Sequence, residues 1–529
     1  LAMIPEPPHI SYWEASPDLR ALCRRKLSDA AYAWAEPRLI AMGRSAAFDV
    51  APRAVIADRI TPRLITHDER GNRVSRVEYH PAYREMERIA YGSGMIAMKY
   101  ETHDHSEAAP FVGFALGYLF AMAEMGLYCP LCMTDGVARV LTRHGTHEQV
   151  MRVVPHLTAT DRGGPLVPAD GSLQAERVAA AWPVNVAGPA GWTGGMFITE
   201  RAGGSDVGAN ETVARLAGGT WRLSGRKWFC SNVDAEAVLV TARPEGAPQG
   251  TRGLRTFLLL TRDNPGFVID RLKDKLGVRS MPTGEVTLTD APAEEVGGFA
   301  AMADMLNLSR LYNSIASVAV IGRAVHEARW YAERRQVFGR PIIEFPLALE
   351  TLADLEAEHV AAMLLAFEAV DALRRADAGD AEGAQLLRIL TPIAKAVTGK
   401  LAVPCVSEAM ELLGGNGYIE DWVMPRLLRD AQVLPIWEGT TNILMLDALR
   451  VINKDGSHQL LLARIRPHFP QLAAELEETL PQLDERDVRA WIDKLARAFQ
   501  LALLAEAEYG EHIVRLERRP LGLVPGARV

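Results

Sequence analysis

The segment PIWEGTTNI, Pro435 to Ile443, sets one carboxylate, Glu438, between an indole and a glycine at the head of an apolar helical pattern. Two chemistries suit it. Held out of water, Glu438 is a general base, because desolvation raises the proton affinity of a carboxylate. At the mouth of a helix, an acid merely complements the dipole, with Thr440 or Thr441 as the cap. A second segment, MFITERAGGSDVGAN from Met196 to Asn210, joins two adjacent glycines to the hydroxyls of Thr199 and Ser205. Bare glycine backbone lets N–H groups approach an anion such as a phosphate. Its plainer reading is a glycine-rich turn between strands. No G-x-G-x-x-G opens a βαβ unit and no Walker A lysine is present, so the usual nucleotide cradles are missing.

Other polar clusters carry less. Cys129-Pro-Leu-Cys132 has neither a second cysteine pair for zinc nor a preceding thioredoxin-like strand. It follows FVGFALGYLFAMAEMGLY, which reads as one long apolar helix, with Pro130 in the first turn of the next. His103-Asp104-His105 lies in a polar loop without a third ligand. No metal site is expected.

The elements that position these residues must come from 529 residues, enough for three or four domains. Hydrophobic residues make up 48% and charged residues 23%, as in soluble globular proteins, and the formal charge of −8 speaks against a dedicated nucleic-acid binder. No apolar run approaches the roughly 18 residues of a membrane span. LAMIPEPPHISYWEASP lacks the order of a secretory signal, and five scattered cysteines make no disulfide framework. A cytoplasmic setting is the expectation.

Hydrophobic periodicity divides the chain into four segments. Residues 1–192 read as helices joined by polar loops. Residues 193–296 contain short Val-, Thr- and aromatic-rich runs such as EAVLVTAR and GEVTLTDA, a β-barrel inserted into a helical protein. Residues 297–452 carry four long helical patterns, the first running to Gly339-Arg340-Pro341, and form a four-helix bundle. After the linker KDGSHQ, residues 453–529 form a C-terminal helical extension whose charges nearly cancel, although RLERRPLG at Arg515–Arg519 is locally basic.

From about residue 190 to 452 the chain resembles the acyl-CoA dehydrogenase flavoproteins. FITERAGGSD, GRKWFCSN, RLKDKLGVRSMPTGEV, RRQVFGRPI, ELLGGNGY and RLLRDAQVLPIWEGTTNI are similar to that family's motifs and stand in its order. VEYHPAY, LYCPLCMT, the added N-terminal length and the C-terminal extension resemble its AidB-like branch. The resemblance implies an N-terminal helical domain, a β-barrel, a four-helix bundle and a C-terminal helical domain, assembled as a homotetramer of paired dimers.

It also implies roles. Met196, Thr199, Gly204 and Ser205 would lie against FAD, Phe229 where the family stacks a tryptophan on the flavin, and Ser231 at the ring edge. Arg335 and Phe338 would reach the FAD of a neighbouring subunit, with Gly414 and Gly415 on its adenosine side. Ile436, Trp437, Gly439 and Asn442 would border the cofactor. Glu438 matches the catalytic base, which takes a proton from Cα of an acyl-CoA thioester while hydride leaves Cβ for flavin N5. Arg310 would point into the same cavity, its plainer role being a structural ion pair. Phe229, Glu411 and Pro346 depart from the family's usual tryptophan and glutamines.

Three functions follow: an FAD-dependent acyl-CoA dehydrogenase passing electrons to an external acceptor such as an electron-transfer flavoprotein; an AidB-like DNA-binding, alkylation-damage protective flavoprotein with little dehydrogenase activity; or a flavoprotein scaffold. The near-balanced charge of the extension gives the DNA reading little support.

Overall fold

The computed structural model describes residues 6–161 and 191–518; Arg519 and the ends of the first and last segments lie outside them. Helices α1 (Pro17–Lys26), α2 (Asp29–Ser45) and α3 (Ala51–Arg59) come first, then a hairpin of β1 (Arg63–His67) and β2 (Arg73–Glu78). Next are α4 (Pro81–Gly92), α5 (Ala109–Ala121), α6 (Met125–His144) and α7 (His147–Leu157). Strands β3 (Gly194–Phe197), β4 (Val213–Ala217), β5 (Thr220–Ser231), β6 (Ala237–Pro244), β7 (Arg255–Leu260), β8 (Phe267–Leu272) and β9 (Thr283–Gly298) follow. The chain then returns to helix in α8 (Phe299–Arg334), α9 (Pro346–Asp377), α10 (Ala381–Glu411), α11 (Gly415–Tyr418), α12 (Met424–Ala431) and α13 (Thr441–Asp455). It finishes with α14 (His458–Ile465), α15 (Pro470–Thr479), α16 (Val488–Glu506) and α17 (Gly510–Arg518).

These elements form two compact units. One comprises Phe48–His103 and Glu124–Ser309, the other Leu1–Ala47, Asp104–Ala123 and Arg310–Val529. In the first, β6 pairs with β4, β4 with β5, β5 with β9, β9 with β7, and β7 again with β6. The ring returns to its start, so these strands close into a barrel, to which β3 adds beside β6 and β8 beside β9. Along β9, Val286 and Leu288 are buried and Thr287 is only partly covered, as two-residue alternation requires. The barrel core gathers Phe197, Leu223, Val238, Val240, Phe257 and Ile269.

The region before residue 190 is not helix alone. β1 and β2 pair antiparallel, with Val77 buried in the barrel core and Leu64 packed against it. Alternation over only five or six residues is too short a signal to separate from a polar loop. The apolar stretch from Phe111 to Tyr128 is two helices rather than one. Glu124 is extended (φ −148°) and caps α6, accepting from the Leu127 N–H at 3.1 Å and from the Ser280 hydroxyl at 2.7 Å. Pro130 therefore lies inside α6, beyond its first turn.

In the helical unit, α8 ends at Arg334 rather than near Gly339, because Gln336–Val337 and Arg340–Pro341 pair as a small hairpin. Pro346 opens α9 at a position where its missing N–H costs nothing. KDGSHQ is not an extended linker: α13 runs to Asp455, Gly456 is left-handed (φ +63°), and α14 starts at His458. Among the described residues α10 alone has the length and composition of a membrane span, yet 78% of that window is buried, as befits a core helix. Gly322 on α8 makes a close approach: a Cβ there would meet the Tyr118 hydroxyl at 2.4 Å and His359 Nε2 at 2.7 Å.

Candidate functional site

On the barrel unit, a buried ion pair anchors the glycine-rich segment. Lys227 Nζ donates to Glu200 Oε1 at 2.6 Å and to the Thr241 carbonyl at 2.8 Å. Glu200 also accepts from the Glu211 N–H at 2.6 Å and the Thr212 hydroxyl at 2.6 Å. Burial alone would raise the Glu200 carboxyl, but Lys227 and these donors hold it below its ordinary range. The neighbouring Thr199 carbonyl accepts from the Trp228 N–H at 2.8 Å, which ties the segment to β5.

Met196 is buried on β3, Thr199 is half-buried, and Gly204 and Ser205 are exposed. On β5, Phe229 leaves 54% of its surface uncovered. Lys273 Nζ lies 3.4 Å from the Trp228 ring centroid and 4.8 Å from that of Phe229. The Ser231 hydroxyl lies 3.3 Å from that of Thr283.

On the helical unit, the loop between α12 and α13 is held through its backbone carbonyls. Asn313 Nδ2 donates to the Leu434 carbonyl at 3.3 Å, Arg310 Nε to the Glu438 carbonyl at 3.2 Å, and Lys395 Nζ to the Gly439 carbonyl at 2.5 Å. Glu438 is left-handed at φ +59° and Gly439 follows at φ +103°. A left-handed glutamate is strained by roughly 1–3 kcal/mol and persists only where its surroundings impose it. Thr440 occupies the N-cap position of α13, but its side chain makes no capping bond.

Arg310 makes the ion pair that was its plainer role. Besides holding the Glu438 carbonyl, Nη1 pairs with Asp447 at 2.9 Å. Arg388 and Arg450 join the same carboxylate at 2.7 and 2.5 Å. Burial would raise Asp447, but Arg388, Arg310 and Arg450 bring it down to about 2. A depressed carboxyl stabilises the fold above its unfolded pKa and loses that contribution as pH falls through the folded value. Urea unfolding of Asp447→Asn should therefore show a deficit on the order of 1–2 kcal/mol at neutral pH that closes between about pH 4 and about pH 2. A deficit unchanged across that interval would rule the linkage out.

The remaining sites lie in this unit. The Trp437 ring is half-buried, and its Nε1 is buried without an acceptor among the described residues. Ile436 and Asn442 are exposed and Gly439 is half-buried. Gly414 and Gly415 are exposed at the start of α11, in a loop tied to α8 by Asn416 Nδ2 donating to the Tyr331 hydroxyl at 3.0 Å. Phe338 is left-handed (φ +49°) and 97% exposed, and Arg335 is half-buried.

Lys395, Arg388 and Asp447 escaped the sequence reading. One signal was available: Arg388 and Lys395 are two helical turns apart on one stripe of an otherwise apolar helix. Among the described residues no group of His, Cys, Asp and Glu has the geometry of a metal site. On the extension, Arg464, Arg466, Lys494, Arg497 and Arg515 each pair with a carboxylate, which leaves them compensated.

The fold is that of the acyl-CoA dehydrogenases. Residues 297–452 match the acyl-CoA dehydrogenase C-terminal domain, 195–291 its middle domain, and 4–161 the N-terminal domain of the adaptive response protein AidB. The chain is 36% identical over 474 residues to acyl-CoA dehydrogenase family member 11 of Caenorhabditis elegans, covering 85% of this chain and 72% of that protein. It is 34% identical over 412 residues to the putative acyl-CoA dehydrogenase AidB of Escherichia coli (strain K12), covering 76% and 71%. The crystal structure of Caenorhabditis elegans ACDH-11 in complex with C11-CoA superposes with a TM-score of 0.87 at 31% identity, covering 99% of this chain and 93% of that one. The chain belongs to the acyl-CoA dehydrogenase family and carries an AidB-type N-terminal domain.

Proposed function

We propose that this protein is an FAD-dependent acyl-CoA dehydrogenase in which Glu438 takes the α-proton of an acyl-CoA thioester. The observation that carries the reading is the left-handed Glu438, held at its own carbonyl by Arg310 and at the Gly439 carbonyl by Lys395. The complex of the similar Caenorhabditis elegans protein with C11-CoA supports acyl-CoA as the substrate class.

The residues present fit a flavin. On the barrel unit Phe229 offers an uncovered ring face, and Gly203 (φ +126°) and Gly204 bring bare backbone beside the Ser205 hydroxyl; on the helical unit the buried Trp437 N–H has no acceptor among the described residues. Met196, Thr199 and Ser231 would hold the ring system, Ile436, Gly439 and Asn442 would border the cofactor, and Arg335, Phe338, Gly414 and Gly415 would reach the FAD of a neighbouring subunit. FAD, when bound, supplies the acceptor for the hydride leaving Cβ. Glu438 receives the proton from Cα, and an acyl chain that displaces water from this half-buried carboxylate strengthens it as a base. Arg310 holds the loop through the Glu438 carbonyl. Electrons then pass to an external acceptor such as an electron-transfer flavoprotein, and the active form is a cytoplasmic homotetramer.

Anaerobic titration of the flavin-loaded protein with acyl-CoA thioesters of graded chain length tests this. Loss of the oxidised-flavin absorbance is expected with at least one length, with the enoyl thioester as product. A flavin spectrum unmoved by every length would overturn the dehydrogenase reading.

A further inference from the structure

Lys395 has no part in the chemistry described so far. It lies on α10 with its side chain fully buried, in a helix stretch whose neighbours Ile393, Ala394 and Ala396 are buried and apolar. A buried cation needs a compensating partner. Its bonding partner is a carbonyl rather than a carboxylate: Nζ donates to Gly439, one residue beyond Glu438. The charged groups around it are few. Glu438 faces it from the loop before α13 and Arg310 from α8, and Arg310 is itself paired to Asp447 on α13. Arg388, on the same stripe of α10, is also taken by Asp447.

We propose that Lys395 is a positioning residue for Glu438, clamping the Gly439 carbonyl while Arg310 clamps the Glu438 carbonyl, and placing beside the base a second group whose charge tunes it. The inference rests on Glu438 being the base. Two cationic donors on consecutive carbonyls fix the peptide between them, which forces the left-handed turn and aims the Glu438 side chain. Burial pushes the Lys395 ammonium down to about 7, with Glu438 opposing the shift and Arg310 adding to it. Protonated, Lys395 stabilises the Glu438 carboxylate and weakens it as a base. Neutral, it still donates an N–H to the carbonyl but withdraws that stabilisation, so the base strengthens as pH rises through neutrality.

The test compares Lys395→Met, which removes the donor and the charge, with Lys395→Gln, which keeps a donor and removes the charge. Glu438→Gln serves as the reference for the base. The readouts are FAD content, affinity for C11-CoA, and the anaerobic rate of flavin reduction by C11-CoA from about pH 5.5 to about pH 9. Lys395→Met should bind FAD and C11-CoA within about threefold of wild type yet reduce flavin about a hundredfold more slowly, as misaligned reacting groups do. Lys395→Gln should recover part of that rate, and in both variants the wild-type inflection near neutrality should vanish. Should Lys395→Met lose FAD or fail to fold, the Lys395→Gln profile decides. An inflection retained in Lys395→Gln, or a wild-type rate in Lys395→Met, overturns the inference while an inactive Glu438→Gln leaves the base assignment standing. A fully active Glu438→Gln would instead sink the base assignment.

Discussion

Glu438→Gln is expected to keep its flavin and lose the ability to be bleached by acyl-CoA. The amide matches the carboxylate in size and shape, and the clamp acts on the backbone carbonyls of Glu438 and Gly439, not on the side chain being changed. The loop should therefore keep its left-handed turn, and thermal melts of the two proteins should coincide. Proton acceptance is lost. A positioned general base contributes about 10² to 10⁴ in rate, so flavin reduction should slow at least about a hundredfold at saturating acyl-CoA, with substrate affinity near wild type. Equal bleaching rates in mutant and wild type would place the base elsewhere.

Glu200→Ala should produce the largest loss of stability. Lys227 is fully buried and Glu200 is its anionic partner. Removing one member of a buried pair leaves the other charge stranded, at a cost of about 3–5 kcal/mol, whereas replacing both by apolar residues of similar size is often close to neutral. Here the deletion also strips acceptors from the Glu211 N–H and the Thr212 hydroxyl. The urea midpoint of Glu200→Ala should fall well below that of the double variant Glu200→Met with Lys227→Met. Thr199 adjoins Glu200 and bonds Trp228, the neighbour of Phe229, so the single variant should also retain less FAD. A midpoint equal to wild type would show that the pair does not anchor this segment. Because Glu200 is held below its ordinary range, its contribution is present at neutral pH and is lost on acidification.

Much of the fold was legible because its signals are local. The alternation of Val286 and Leu288 with Thr287 marked β9, and the long apolar patterns marked α9 and α10 almost to their ends. What failed was a matter of boundaries and short elements. The break at Glu124 is made by a capping bond to Leu127 and by Ser280, which is 156 residues away, and no window over an unbroken apolar run contains that second partner. The early end of α8 depends on two-residue strands too short for any period to register.

By itself, the sequence determined the family, the barrel between helical segments and the candidacy of Glu438, since contiguous motifs and local periodicity carry these. Only the tertiary structure decided that Glu438 is left-handed, that Arg310 serves both a carbonyl and Asp447, and that Lys395 comes to hold Gly439 from 44 residues away. The reason is physical. A charge inside an apolar helix is tolerable only beside its partner, and that partner is chosen by how helices pack, which no stretch of neighbouring residues records.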